Sequence, residues 1–402
     1  MTRSPQPWLG SGRLLRFALL LLSVDALDEL ASGVPGSAAP GIQEAFATSH
    51  AGSGALLTAF GLLSLVLEPP LFLLADRYPR RWFTCGGLLG LGLSCFLAAS
   101  APSYWVLFVA LLLFGPTSGC GVTLSQATLV DSDPANSERW LTRWVLAGSL
   151  GDLATPGLLA VVYAAGLGWR TAFAACGLLA CIQALTLWRQ RFPDETKNDE
   201  EEDDDLPWRE SLRLALTNRR LLLWSLGLVT CTLLDETLFV FATLRMSHDL
   251  GFSDGQVLTV VACFSTGAVA TLVGYELLPD RILPLRLLGI TSLLSLGAHV
   301  GFVLAESFVS CIAWALLSGI GIAMQYPLAK AQLYRCLPGR SGTAVAVAGL
   351  FAPLDLALPI LVGMTADTWG LAPALFLLLA QPASLLALSL LGPTAGDSAE
   401  SS

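Results

Sequence analysis

Apolar residues in this chain do not alternate with polar ones. They come in long runs, separated by short segments that hold most of the charge. Most runs reach the roughly 20 residues that a helix needs to cross about 30 Å of hydrocarbon. Runs bounded by charge or turn residues predict twelve spans, centred near residues 25, 63, 91, 114, 152, 179, 232, 266, 292, 317, 353 and 381. A segment in lipid must satisfy its own backbone hydrogen bonds, so the predicted class is an all-α membrane protein. The longest polar stretch divides the spans six and six. The expected organisation is a six-helix bundle over 1–192, a linker over 193–218, a second six-helix bundle over 219–393 and a disordered tail over 394–402. Within the linker, Trp208, Leu212 and Leu216 share one helical face among Arg209, Glu210 and Arg213, which predicts an amphipathic helix along the membrane surface.

Composition sharpens this reading. Of 402 residues, 54% are apolar and only 13% charged, which excludes a soluble enzyme, a secreted disulfide scaffold and a nucleic-acid binder. The net charge of -9 is mostly local, because ten of the 31 carboxylates lie between Asp194 and Glu210, seven of them consecutive from Asp199 to Asp205. Such a run repels itself and stays hydrated, as a linker or as a tract for a partner. With the N-terminus inside, 20 of the 22 Lys and Arg fall on the cytoplasmic side and only Arg170 and Arg245 face out, so the positive-inside rule predicts both termini in the cytoplasm. The nine cysteines form no C-x-x-C pair and suggest neither a disulfide framework nor a zinc site. Arg13 and Arg16 before Phe17–Val24 resemble the start of a signal peptide, with Gly36-Ser37-Ala38-Ala39 as a conceivable cleavage site. Asp25, Asp28 and Glu29 argue for a retained first span.

The two halves echo one another. Leu27-Asp28-Glu29 in span 1 returns as Leu234-Asp235-Glu236 in span 7. Ser118-Gly119-Cys120-Gly121 in span 4 returns as Ser318-Gly319-Ile320-Gly321 in span 10. Asp152 to Pro156 in span 5 returns as Asp355 to Pro359 in span 11, and Asp76-Arg77 after span 2 as Asp280-Arg281 after span 8. Parallel six-helix repeats of this kind build membrane carriers.

Twelve spans, the 6+6 division by a charged loop, and Ala75-Asp76-Arg77-Tyr78-Pro79-Arg80-Arg81 between spans 2 and 3 resemble the major facilitator superfamily and its G-x-L-A-D-R-x-G-R-R loop. Phe72 and Pro79 stand where that loop has its glycines, and Gly115 where many members carry an arginine in span 4. The resemblance implies two pseudo-symmetric six-helix bundles. It also implies that Asp76, Arg77, Arg80 and Arg81, with Asp280 and Arg281 in the second half, act as gate residues rather than substrate ligands.

Ionisable groups inside a membrane cost about 2.5 to 3.5 kcal/mol each on insertion scales, and they mark function by default. The candidates are Asp25, Asp28 and Glu29 in span 1, Glu68 in span 2, Asp152 in span 5, Thr232, Asp235 and Glu236 in span 7, and Asp355 in span 11. Positions i, i+3 and i+4 share a helical face, so each of the span 1 and span 7 clusters is expected to point one way. No Lys or Arg falls mid-span to pair with them, and His299 is the one mid-membrane base. Carboxylates crowded in a low-dielectric cavity cannot all stay ionised, which suits them to carry protons or bind cations. Pro156 and Pro359 have no N–H for the carbonyls of Asp152 and Asp355; these carbonyls are either free to coordinate a cation or merely mark kinks. Gln325 and Tyr326 in span 10 are candidate substrate contacts. His299, Cys120, Cys231 and Met324 offer softer ligands without a metal-binding pattern, so a metal site stays open.

No G-x-x-x-x-G-K-[ST], H-E-x-x-H or G-x-S-x-G occurs, so neither nucleotide-driven pumping nor hydrolysis is supported, and no cofactor is implied. The expected function is secondary transport, proton-coupled, of a small cationic or neutral organic solute through an acidic central cavity. The expected protein is a monomer whose partners are substrate, protons and lipid, not nucleic acid. An inorganic cation carrier and a non-transporting receptor or scaffold of the same fold are the alternatives. Twenty arginines against two lysines, with short loops, point to a bacterial inner membrane.

Overall fold

The computed structural model describes residues 11–75, 78–132, 137–190, 192, 216–276, 284–336, 344 and 347–390. Among them the regular structure is helical throughout. Eleven helical stretches are long and apolar enough to cross a membrane. The twelfth span is the first, Ser11–Ser37, whose 27 residues suffice in length but carry the carboxylates of span 1. Spans 2 to 6 are His50–Ala75, Arg80–Ala99, Tyr104–Ser132, Ser137–Ala164 and Trp169–Trp188. Spans 7 to 12 are Arg219–His248, Asp254–Tyr275, Pro284–Leu304, Phe308–Arg335, Val347–Trp369 and Leu371–Ser389. The expected linker helix over 206–216, apart from Leu216, and the tail over 394–402 lie outside the described residues.

Two compact units emerge. One comprises Met1–Thr48 and Ala55–Thr196, the other Ser49–Gly54 and Lys197–Ser402. The short piece Ser49–Gly54 joins the second unit, where the Asp367 carboxylate accepts hydrogen bonds from the backbone N–H groups of His50 at 2.8 Å and Ala51 at 3.0 Å. That carboxylate satisfies donors that a helix start leaves open.

Within each unit the helices pack through small residues, since lipid supplies no hydrophobic drive between helices and backbone approach must do that work. In the first unit a Cβ at Gly87 would lie 2.6 Å from the backbone N of Gly121, and Gly151 sits against the carbonyl of Ala26. In the second, Gly319 sits against the carbonyl of Phe264, and a Cβ at Gly321 would lie 2.7 Å from Ser295. The outer faces are apolar, with Leu93 66% exposed and Val161 70%, as expected of surfaces solvated by acyl chains. Exposed Trp82, Trp105, Trp188 and Trp369 all sit at span ends, where amphipathic rings favour the membrane interface.

The second unit is the less regular. Span 7 is interrupted over 230–237, span 10 at 323–324, span 11 at 350–351 and span 12 at 378–379. These four interruptions place the polar residues described next.

Candidate functional site

Each unit carries its own group of carboxylates. In the first unit, Asp25 is buried against span 5, where the side chain of Trp144 and the backbone of Gly148 hydrogen-bond to it. Only a glycine allows this approach, because a Cβ at 148 would stand 2.6 Å from Asp25 Oδ2 and 3.3 Å from Glu29 Cγ. Asp28 turns instead toward span 4, beside Ser118. Its Oδ1 is buried and has no hydrogen-bond partner. Glu68 of span 2 packs on Gly119 and hydrogen-bonds Ser64. Asp28 and Glu68 thus reach adjacent residues of span 4 from two different helices. The span 1 triad therefore divides: Asp25 and Glu29 lie against span 5, and Asp28 faces span 4. Asp152 is half-buried and engaged by a neighbour.

In the second unit, span 7 tightens to a 3-10 turn over Thr230–Thr232 and widens to a π turn over Leu233–Thr237. Leu234 (φ -93, ψ 23) and Asp235 (φ -123, ψ -113) leave helical values there. Asp235 and Glu236 are exposed, though they lie near the middle of a 30-residue span. An exposed carboxylate at that depth faces water, because hydrocarbon would not tolerate it. The Thr232 hydroxyl donates to Asp355 Oδ1 at 2.7 Å. Asp355 sits in the first turn of the helix Ala352–Trp369, where the positive end of the helix dipole favours a carboxylate. The Cys231 thiol lies within electrostatic reach of both Asp235 and Asp355.

Other candidates are placed elsewhere. Gln325 is fully buried and hydrogen-bonded at 2.7 Å to Ser295. Tyr326 is half exposed and accepts a hydrogen bond from Lys330 at 3.1 Å. His299 is fully buried, with Nε2 2.8 Å from the carbonyl of Leu375. Among the described residues no three or more His, Cys, Asp or Glu side chains gather to hold a metal ion. Arg81 stacks over Trp188 at 4.3 Å and Arg80 is half-buried, while Asp76, Arg77, Asp280 and Arg281 lie outside the described residues. A small cavity of about 20 Å³ in the second unit, walled by Leu238, Phe239, Phe264 and Phe302 with Ser318, holds none of these charges.

Sequence reasoning missed Trp144 and Gly148, the partners of Asp25, because a lone Trp and a lone Gly in a Leu/Ala-rich helix carry no distinguishing spacing. It also missed Gln381, although an amide in an otherwise apolar run, followed by Pro382, is a usable signal.

The chain is all-helical and polytopic, with acidic residues at mid-span depth in each half. The chain belongs to the Major Facilitator Superfamily, whose model matches residues 21–352. Over 127 residues it is 32% identical to the tetracycline resistance protein, class G, of Vibrio anguillarum, covering 31% of this chain and 32% of that protein. Over 375 residues it is 27% identical to the 3-(3-hydroxy-phenyl)propionate transporter of Escherichia coli (strain K12), covering 90% of this chain and 89% of that one. The chain thus spans about a third of the length of the tetracycline resistance proteins it matches. Its fold is that of a bacterial homolog to the human lysosomal transporter Spinster, in inward-facing and unoccupied conformation, with a TM-score of 0.73 over 95% of both chains at 18% identity.

Proposed function

We propose that this protein couples proton movement to the transport of a small organic solute, cationic or neutral, by alternating access of its two six-helix halves. The observation that carries this reading is the pair of mid-span carboxylates: Asp28, with a buried unpartnered oxygen, and Asp235, exposed at a helix interruption. A group of this kind can take and release a proton without breaking an ion pair, and its charge state biases one conformation over the other. Both termini are assigned to the cytoplasm, the membrane to the bacterial inner membrane and the working form to a monomer. Asp76, Arg77, Arg80 and Arg81 are assigned to the cytoplasmic gate, with Asp280 and Arg281.

The names of two relatives supply probes. Tetracycline is the expected substrate type. The acidic site disfavours the anion 3-(3-hydroxyphenyl)propionate, which would meet like charge. In proteoliposomes with an imposed pH gradient, the native protein is expected to accumulate tetracycline and not the propionate. Asp28→Asn and Asp235→Asn are each expected to abolish gradient-driven accumulation while leaving the melting temperature intact. Full pH-coupled transport in the double variant would refute the assignment.

A further inference from the structure

The interruption of span 7 leaves backbone groups that a continuous helix would pair. The N–H of Leu233 already takes the carbonyl of Thr230, and Leu234, 1% exposed, needs another acceptor for its own N–H. Enclosed by side chains, that N–H has no water at hand to serve. Gln381 of span 12 supplies it: its Oε1 accepts from Leu234 N at 2.8 Å. That bond fixes the amide's orientation, because a backbone N–H only donates. Gln381 Nε2 must then point away, and it donates to Gln325 Oε1 at 3.0 Å. Gln325 Nε2 in turn donates to Ser295 Oγ at 2.7 Å and to the carbonyl of Gly321 at 3.1 Å, in the last turn before span 10 is interrupted. Gln325, Gln381 and Ser295 are at most 1% exposed. Each orientation is forced by the one before, so the chain runs one way, from the opening in span 7 through span 12 to the opening in span 10.

We propose that Gln381 is a positioning residue for proton coupling: its amide holds the unwound segment of span 7, and with it Asp235, and links that segment to the interruption of span 10. The inference rests on the reading of Asp235 as a proton carrier. A displacement of residues 234 and 235 on protonation pulls on Gln381 directly, and Gln325 passes the movement to span 10. Among the described residues, the titratable groups near Asp235 are Glu236 and Cys231 on span 7 itself and Asp355 on span 11; span 12 contributes none. A second contact between the same two spans, Thr230 to Ser384 at 3.0 Å, lies one turn away from Asp235 and provides a control.

The test is infrared titration of the protonated-carboxyl band in the purified full-length protein between about pH 5 and 8, which needs no substrate. The component deleted by Asp235→Asn belongs to Asp235. In Gln381→Met its midpoint is expected to move by about half a pH unit or more, with faster amide exchange at Leu234. Gln325→Met, which keeps the bond from Leu234 to Gln381 and removes the links beyond it, is expected to give a smaller shift and serves if Gln381→Met does not fold. Ser384→Ala is expected to leave the midpoint in place. A midpoint unmoved in both glutamine variants, or moved equally by Ser384→Ala, overturns the positioning role. If the native protein shows no Asp235 component that titrates, the proton-carrier reading itself falls, a result distinct from a titrating component that ignores Gln381.

Discussion

Single atoms decide what the carboxylates of this protein can do. Asp25 is reachable by Trp144 and Gly148 only because position 148 has no side chain, and a methyl group there would meet Asp25 Oδ2 at 2.6 Å. Gly148→Ala should therefore displace the carboxylate or open the packing of spans 1 and 5, at a cost of about 1 to 3 kcal/mol typical of overpacking. A clear fall in melting temperature in detergent is expected. Gly157→Ala lies on the same helix with nothing within 4 Å of its Cβ and should leave stability unchanged or slightly raised. Equal melting temperatures for the two variants would show that the Gly148 contact is soft. Asp28 differs from Asp25 in its unpartnered oxygen, which is why proton exchange is assigned to Asp28.

At the scale of elements, the two units use their helices differently. The first unit relies on unbroken helices and backbone approach at glycine, whereas the second breaks four of its spans and joins the breaks of spans 7 and 10 through side-chain amides. Span 7 begins at a cap that ties two spans. Asn218 Oδ1 accepts from Leu221 N at 3.1 Å, and Asn218 Nδ2 donates to the carbonyl of Cys336, at the end of span 10, at 3.0 Å. Asn218→Ala loses both bonds and should cost about 1 kcal/mol or more. Asn218→Asp keeps the cap, loses the donor and should fall between. The order native, Asp, Ala in thermal denaturation checks this; an Asp variant as unstable as Ala would mean that only the link to Cys336 matters.

For the whole molecule, the driving ion can be read from stability measurements that need no substrate. If protons drive transport, Na⁺ or divalent cations at fixed pH should not raise the melting temperature of the purified protein, since only an ion that binds the folded state stabilises it. A saturable Na⁺-dependent rise would favour an inorganic cation carrier. If the acidic segment serves only as a hydrated linker, deletion of residues 198–205 should leave transport and melting temperature as in the native protein. Loss of transport on that deletion would move the weight to a loop-dependent interaction.

The apolar runs alone determined the helical class and the number of spans, because hydrocarbon leaves a chain so few ways to satisfy its backbone. Span 1 was legible through its length even though its acids dilute its hydropathy, and the Asp-Arg loop with the internal repeat pointed to the family. The residues of both carboxylate groups were legible one by one, since an acid in an apolar run stands out against any background. Their neighbours were not. Helical spacing placed Asp25, Asp28 and Glu29 on one face, but which of them meets Gly148 and which meets Ser118 depends on how three helices pack. Gln325 likewise stood out in its apolar run, but its bonds to Ser295 and Gln381 came to light only with the packing of spans 9, 10 and 12. Local pattern records what a residue costs to bury; which partner offsets that cost is settled by helices distant in sequence, and only the folded chain brings those together.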